Sequence, residues 1–493
     1  MRRQARRNHH LSSLLLATGF LLGWSATTSA QKSYDELTYP PLRDIQVPDV
    51  ARTELPNGMV LYLLEDHTLP KVRGFALIRT GDLWEPADKV GLASIVGQVM
   101  RTGGTTTRSG DEINKMLEDV GASVETSIGG SSGTASLFAL KENLPMVLDV
   151  LADILQNPAF APDKIQLAKV RMQSGIARRN DDVSSIANRE FHKLLYGSDS
   201  PYTRSVEYAT VANITREDIV QFHARYFHPN QIALGLWGDF ESDAVRSQVE
   251  RLFSSWERKH VDIPPVPEVD AVLKASVNYI SKDDINQTNL RIGHLGGRRD
   301  DPDYFAMTLM AKILGGGFSS RLFKLIRSEQ GLAYRVRASW SAAWDHPGTF
   351  SVVCNTKSET TMQATTEILK EVRRITEEPV TEDELRLAKD GILNSFVFNF
   401  DSKGGILRRL MIYEYYGYPK DFLEKYRSNI EKVTAADILR AAKKHIRPDE
   451  MTILAVGRGQ DFDKPLDTLG EVNTIDISIP PPSQEAKGDV SGR

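Results

Sequence analysis

The stretch at residues 213–238, "NITREDIVQFHARYFHPNQIALGLWG", is answered at residues 432–457 by "KVTAADILRAAKKHIRPDEMTILAVG". Asp218 matches Asp437, Pro229 matches Pro448 and Gly238 matches Gly457, each at an offset of 219 residues. A second pair stands in the same order, "DKIQLAK" at 163–169 and "DELRLAK" at 383–389. Shared pieces in one order, at offsets of 219 and 220 residues, mean an internal duplication. Two halves of ordinary domain size follow, placed at 49–258 and 276–470. Between them residues 259–275, "KHVDIPPVPEVDAVLKA", carry prolines that favour an extended, semi-stiff connector. The polar, proline-containing end of the chain from 471 is expected to be a flexible tail.

Within the first half, helical and strand periods alternate. "ELPNGMVLYLLED" and "KVRGFALIRTG" read as strands, the first opened by a Pro-Asn-Gly turn. Ser109 and Glu112 have capping-box spacing ahead of Ile113, Met116, Leu117 and Val120, which share a helical face. "ASVETSIGGSSGTASLFAL" reads as a hairpin turning at Gly129-Gly130. A second stripe, from Leu144 to Leu155, stops at Asn157-Pro158. The fold class expected is α+β: two duplicated α/β sandwich domains joined by a Pro-rich linker.

With 493 residues, 41% hydrophobic and 26% charged, the composition is that of a globular protein of more than one domain. Residues 1–30 read as an export signal: an arginine-rich start, an apolar run and a small-x-Ala cleavage pattern ending at Ala30. That run is shorter than the ~20 apolar residues a membrane span needs. Cleavage would leave 31–48 as the mature N-terminal segment. It would also move the net charge from −4 to −8, because the segment holds four arginines and no acid. Such a balance argues against nonspecific nucleic-acid binding. One cysteine, Cys354, excludes an internal disulfide or a cysteine-only metal site, and its alternating surroundings make it a small buried hydrophobe. An exported chain without disulfides fits a bacterial periplasm.

The run "TELPNGMVLYLLED … TGDLWEPADKVGLAS … GGT" resembles the N-terminal half of the insulinase/pitrilysin metallopeptidases, and the likeness extends from about Arg52 to Arg458. The resemblance implies an H-x-x-E-H zinc helix. Its two histidines share a face and hold the metal, its glutamate activates a water, and a glutamate about 76 residues downstream is the third protein ligand. On this chain "GLASIVGQVM" puts Ser94 and Gln98 at the histidine positions and Gly97 at the base; the distal ligand falls at Ser174. Serine and glutamine are poor zinc donors, and glycine cannot act as a base. No HxxEH or HExxH occurs elsewhere among the ten histidines. His223 and His228, five apart, do not share a helical face.

The second half retains "ILGGGFSSRLFKLIRSEQGLAYRV" at 313–336, which resembles the family's C-terminal motif. There an arginine and a tyrosine seven apart reach the substrate at the partner domain's zinc site, and here they fall on Arg327 and Tyr334. An arginine fork can hold a main-chain carbonyl, and a tyrosine hydroxyl can donate to a developing oxyanion. Glycines 315–317 lack the lysine and hydroxyl of a phosphate loop and read as a turn.

In some members of that family two chains share the work, one bearing the zinc helix and the other the Arg/Tyr pair. The resemblance therefore implies a non-catalytic subunit of an exported zinc peptidase. It would bind no zinc itself, hold peptide through Arg327 and Tyr334, and work with a paralogous HxxEH subunit that carries the metal. The alternative from another class is a stand-alone pseudopeptidase, a peptide-binding or scaffold protein. A self-sufficient metallopeptidase with unusual ligands is the third.

Overall fold

The computed structural model describes residues 49–269, 274–396, 398 and 402–482. The signal expected at 1–30, the segment at 31–48 and the end of the tail lie outside these.

Each copy of the repeated stretch begins with the same device. The Thr215 and Thr434 hydroxyls accept from the amides of Asp218 and Asp437, whose carboxylates accept in return from the threonine amides. These reciprocal caps satisfy donors that a helix start leaves unpaired. The helix that follows delivers the chain into a strand, Ile232–Gly238 in the first copy and Thr452–Gly457 in the second.

The first domain contains β1 (Ala51–Glu54), β2 (Val60–Glu65), β3 (Lys71–Ile78), β4 (Ser123–Gly129), β5 (Ser132–Leu140) and β6 (Ile232–Gly238). Its helices are α1 (Leu92–Thr102), α2 (Gly110–Glu118), α3 (Leu144–Gln156), α4 (Pro162–Ala177), α5 (Val183–Tyr196), α6 (Tyr208–Asn213), α7 (Arg216–Tyr226) and α8 (Ser242–Phe253). The second domain contains β7 (Ser276–Ser281), β8 (Gln287–Leu295), β9 (Ala333–Ser341), β10 (Thr349–Lys357), β11 (Thr452–Gly457) and β12 (Val472–Thr474). Its helices are α9 (Tyr304–Gly315), α10 (Thr361–Glu377), α11 (Glu382–Phe396), α12 (Lys403–Tyr415), α13 (Phe422–Lys432) and α14 (Ala435–His445).

The sheet orders are β1-β2-β6-β3-β5-β4 and β12-β7-β11-β8-β10-β9. Five strands correspond one to one. β2–β6 and β7–β11 are the parallel pairs, while β6–β3, β3–β5 and β5–β4 have antiparallel counterparts in β11–β8, β8–β10 and β10–β9. The copies differ at one edge, where β1 joins β2 antiparallel and β12 joins β7 parallel. The fold is thus two duplicated mixed α/β sandwiches.

The domains share more than the linker expected from sequence. Leu61 and Leu63 of β2 point into the first domain's own core, whereas Tyr62 and Leu64 are covered by Leu407 and Met411 of α12. Reciprocally, Ile453 and Ala455 of β11 face the second domain's core. Leu454 and Val456 are covered by Ile186, Phe191 and Leu195 of α5. Each sheet is therefore apolar on both faces where it receives the other domain's helix, and "VLYLL" and "TILAV" run without alternation for that reason. At Gly235 an added Cβ would lie 2.3 Å from Leu407 Cδ2 and 2.5 Å from Met411 Sδ, so a side chain here would push both ends aside. Arg52 of β1 forks onto Glu414 of α12, with contacts of 2.6 and 2.9 Å.

The flexible tail expected from 471 is corrected at its start. Residues 472–474 form β12, Ile475 and Ile477 pack beside α5, and Asn180 donates to the Ile477 carbonyl at 2.6 Å.

Candidate functional site

The helix that the likeness assigns to zinc is α1. Its N-terminus is held by Glu85, whose two carboxylate oxygens accept from the Gly91 and Ala93 amides at 2.9 Å each. Burial pushes the Glu85 carboxyl up to about 7 despite these two donors. The sequence reading passed over this residue because a cap lying six and eight positions from its amides leaves no periodic signal.

One turn on, α1 packs against β4, the edge strand of the first sheet. The contact is made by backbone. A Cβ placed on Gly97 would lie 2.5 Å from the Ile128 amide nitrogen and 2.8 and 2.9 Å from the Ser127 carbonyl carbon and Cα. Thr126 Oγ1 also donates to the Gly97 carbonyl at 2.5 Å. No side chain fits at position 97 while β4 stays where it is. The Ser94 hydroxyl is exposed and the Gln98 amide half-buried, on the same face one turn apart. Ser174 lies exposed near the end of α4 and spends its hydroxyl proton on the Val170 carbonyl at 3.0 Å. With neutral oxygen donors at Ser94, Gln98 and Ser174, a strand where a base would stand, and the Glu85 carboxylate spent on the helix start, the residues present do not fit zinc.

Among the described residues one group has three metal-type ligands, Asp301, Asp303 and His445. It belongs to the second domain. Both oxygens of Asp303 are taken: Arg440 at 2.8 Å on one, Lys444 and the His445 imidazole at 2.9 Å each on the other. These hydrogen-bonded partners outweigh burial and hold the carboxyl far below the usual range. The arrangement is an ion-pair hub.

Arg327 and Tyr334 are brought together by two backbone irregularities. Residues 323–329 form a π-helical segment, a rare conformation frequent at functional sites. Arg327 lies within it, its guanidinium 4.8 Å from the Phe323 ring centre. In β9, Ala333 pairs with Thr356 and Arg335 with Asn355, so Tyr334 is the extra residue of a β-bulge. Strand alternation with Val336 and Ala338 would have buried it. The bulge instead leaves it 78% exposed, with the Arg327 guanidinium 5.0 Å from its ring centre. Phe318, 79% exposed, continues the ladder by meeting Phe323 edge-on at 4.9 Å. The neighbouring Arg321 has a different role. It is buried and forks onto Glu384 at 2.6 and 2.8 Å, anchoring the segment to α11. Among the described residues no hydrogen bond, ion pair or ring contact joins Arg327 or Tyr334 to α1 or α4.

His223 Nε2 donates to the Leu155 carbonyl at 3.0 Å, its ring stacks on Phe227, and burial lowers its pKa to about 4. Cys354 is fully buried, with its thiol pushed up to about 12. Neither belongs to a site.

Residues 62–207 match the family described as insulinase (peptidase family M16), and residues 213–392 match the peptidase M16 inactive domain. The chain belongs to the insulinase family. A Rickettsia felis protein named as an uncharacterized zinc protease is 27% identical over 341 residues, covering 68% of this chain and 80% of that one. A Helicobacter pylori protein named as a non-peptidase homolog is 23% identical, with 80% and 90% covered. The solved M16 inactive domain from Pseudomonas fluorescens superimposes with a TM-score of 0.75 at 24% identity, covering 85% of this chain and all of that one. The periplasmic protease PqqL of Escherichia coli gives 0.70 at 12%, with 90% of this chain on 50% of that one. At these identities the structural likenesses establish the fold. Among the described residues no helix is long and apolar enough to cross a membrane.

Proposed function

We propose that this chain is the zinc-less, substrate-holding subunit of an exported insulinase-family peptidase. It presents Arg327 and Tyr334 to peptide while a paralogous HxxEH subunit carries zinc and cuts. The reading is supported chiefly by the contrast between its two family motifs. At Gly97 the backbone of β4 stands where a catalytic side chain would be, whereas Arg327 and Tyr334 are stacked and displayed outward. Arg327 can fork onto a main-chain carbonyl, and the Tyr334 hydroxyl can donate to the oxygen that gains charge as that bond is attacked. Ser94, Gly97, Gln98 and Ser174 are, in this reading, vestiges of the metal site. The fit of this chain to half the length of PqqL suits one half of a two-part enclosure. Export to the periplasm rests on residues 1–30.

The test is reconstitution with the zinc-bearing paralogue. The mixture should cleave peptides under chelator control, and Arg327→Ala and Tyr334→Phe should each lower kcat/KM at least tenfold without changing assembly. Full activity from the Arg327→Ala mixture would overturn the role of this pair. Chelator-sensitive cleavage by this chain alone would overturn the division of labour. The H. pylori name favours a second reading, a peptide-binding protein that never meets a zinc subunit; failure to co-purify with any HxxEH chain would support it.

A further inference from the structure

β9 forms an edge of the second sheet, and among the described residues its backbone between Ala333 and Ser341 hydrogen-bonds only to β10. Such an edge pairs readily with an extended chain. Its side chains make it selective. Arg335 and Arg337, both exposed, project on the sheet face opposite the buried Val336 and Ala338. Register extends each into a row across three strands: Arg337–Val353–Arg291 and Arg335–Asn355–Asn289. Arg291 is buried. It donates to the Asn289 side chain and, at 3.2 Å, to the Leu290 carbonyl. Among the described residues no carboxylate pairs with Arg291, Arg335 or Arg337. His192 of α5 is the other titratable group facing Arg291. Burial and the Arg335 charge push Arg291 down to about 10, the signature of a cation lacking a counter-charge. Three guanidinium groups therefore share one polar face in a protein whose net charge is negative.

We propose that β9 docks an extended peptide bearing acidic residues at alternate positions, with the acids facing Arg335 and Arg337 and the intervening residues facing Arg327, Tyr334 and Phe318. The spacing follows from strand geometry. Arg335 and Arg337 are two apart on one face, and cross-strand partners of a paired strand repeat with the same period. A second copy of this chain is excluded as the occupant by the same cations, since β9 on β9 would set arginine against arginine. The inference rests on the reading that this chain holds peptide and adds the class of peptide held.

The test uses the full chain and three fluorescent peptides of about ten residues, a usual strand length. One carries glutamate at every second position, one has the same composition with the glutamates in a block, and one has glutamine in their place. Anisotropy titrations should show the alternating acidic peptide binding at least tenfold more tightly than the glutamine peptide, with the block peptide between them. The preference should fade with salt. Arg335→Ala/Arg337→Ala, both at exposed positions, should erase the preference while leaving the glutamine peptide unchanged. Arg335→Glu/Arg337→Glu should transfer it to a peptide with alternating lysines. Equal binding of all three peptides, or a preference untouched in the double alanine variant, overturns the inference and leaves peptide holding intact. No binding by any peptide overturns both.

Discussion

Replacing Gly97 with alanine separates a closed vestige from an open zinc face by the sign of a stability change. Alanine is about 1 kcal/mol better than glycine inside a helix, so on an open face Gly97→Ala stabilises by about that amount. Here the new methyl would stand 2.5, 2.8 and 2.9 Å from three backbone atoms of β4. All three lie in a strand laddered to β5, whose Thr126 also holds the Gly97 carbonyl. Side chains can swing away from such a contact, but a laddered backbone must move as a unit. Overpacking of this kind costs about 1–3 kcal/mol; rigid partners place it near the upper end, for a net loss of about 1–2 kcal/mol after the helix gain. Urea unfolding of the chain, with unchanged slope, would measure the midpoint shift. A variant as stable as the parent, or more so, would refute the closure of this site. Ser94→His/Gln98→His, which keeps Gly97, tests the metal directly. Zinc at a hundredfold excess over Kd would add about 2.7 kcal/mol of stability to a working site. We expect no such gain, because the position that the likeness gives to the third ligand is Ser174, a neutral hydroxyl.

Arg321→Ala, six residues from Arg327, should cost about 3 kcal/mol by removing the fork on Glu384 and leaving Glu371 with Arg374 alone, a loss absent from Arg327→Ala and readable in the same urea assay. Glu85 gives a pH signature. Its folded pKa of about 7 lies above the ordinary 4.5, so the folded chain holds the proton more tightly. Its contribution is full below pH 4.5 and is lost as pH rises to 7, on the order of 3 kcal/mol. Glu85→Gln should flatten that slope in unfolding measured across this window, and an unchanged slope would assign it elsewhere. Cys354 should resist alkylation in the native chain and react on unfolding, as read by intact mass; rapid native labelling would contradict its burial.

Local chemistry was legible in the chain. The Ser109–Glu112 box caps α2, the Gly129-Gly130 turn joins β4 to β5, and the stripe from Leu144 becomes α3. Each depends on neighbours a few residues apart, which periodicity and turn residues encode. The tail from 471 was misjudged because β12 gains its partner from β7, almost 200 residues earlier. The outward display of Tyr334 was not legible for a related reason. Alternation predicts burial, and only the register of β9 against β10 reveals the extra residue that turns it outward.

The amino-acid order by itself determined that the chain is a duplicated pair of sandwiches, through residue type and spacing, and that the four positions the family likeness gives to zinc hold neutral side chains or none, Ser94, Gly97, Gln98 and Ser174. Tertiary structure alone decided that α5 and α12 are exchanged between the domains, that β4 closes over Gly97, and that β9 is an arginine-lined edge. These depend on contacts between segments about 30 to 350 residues apart, where a side chain's neighbours are fixed by packing and register rather than by the residues beside it in the chain.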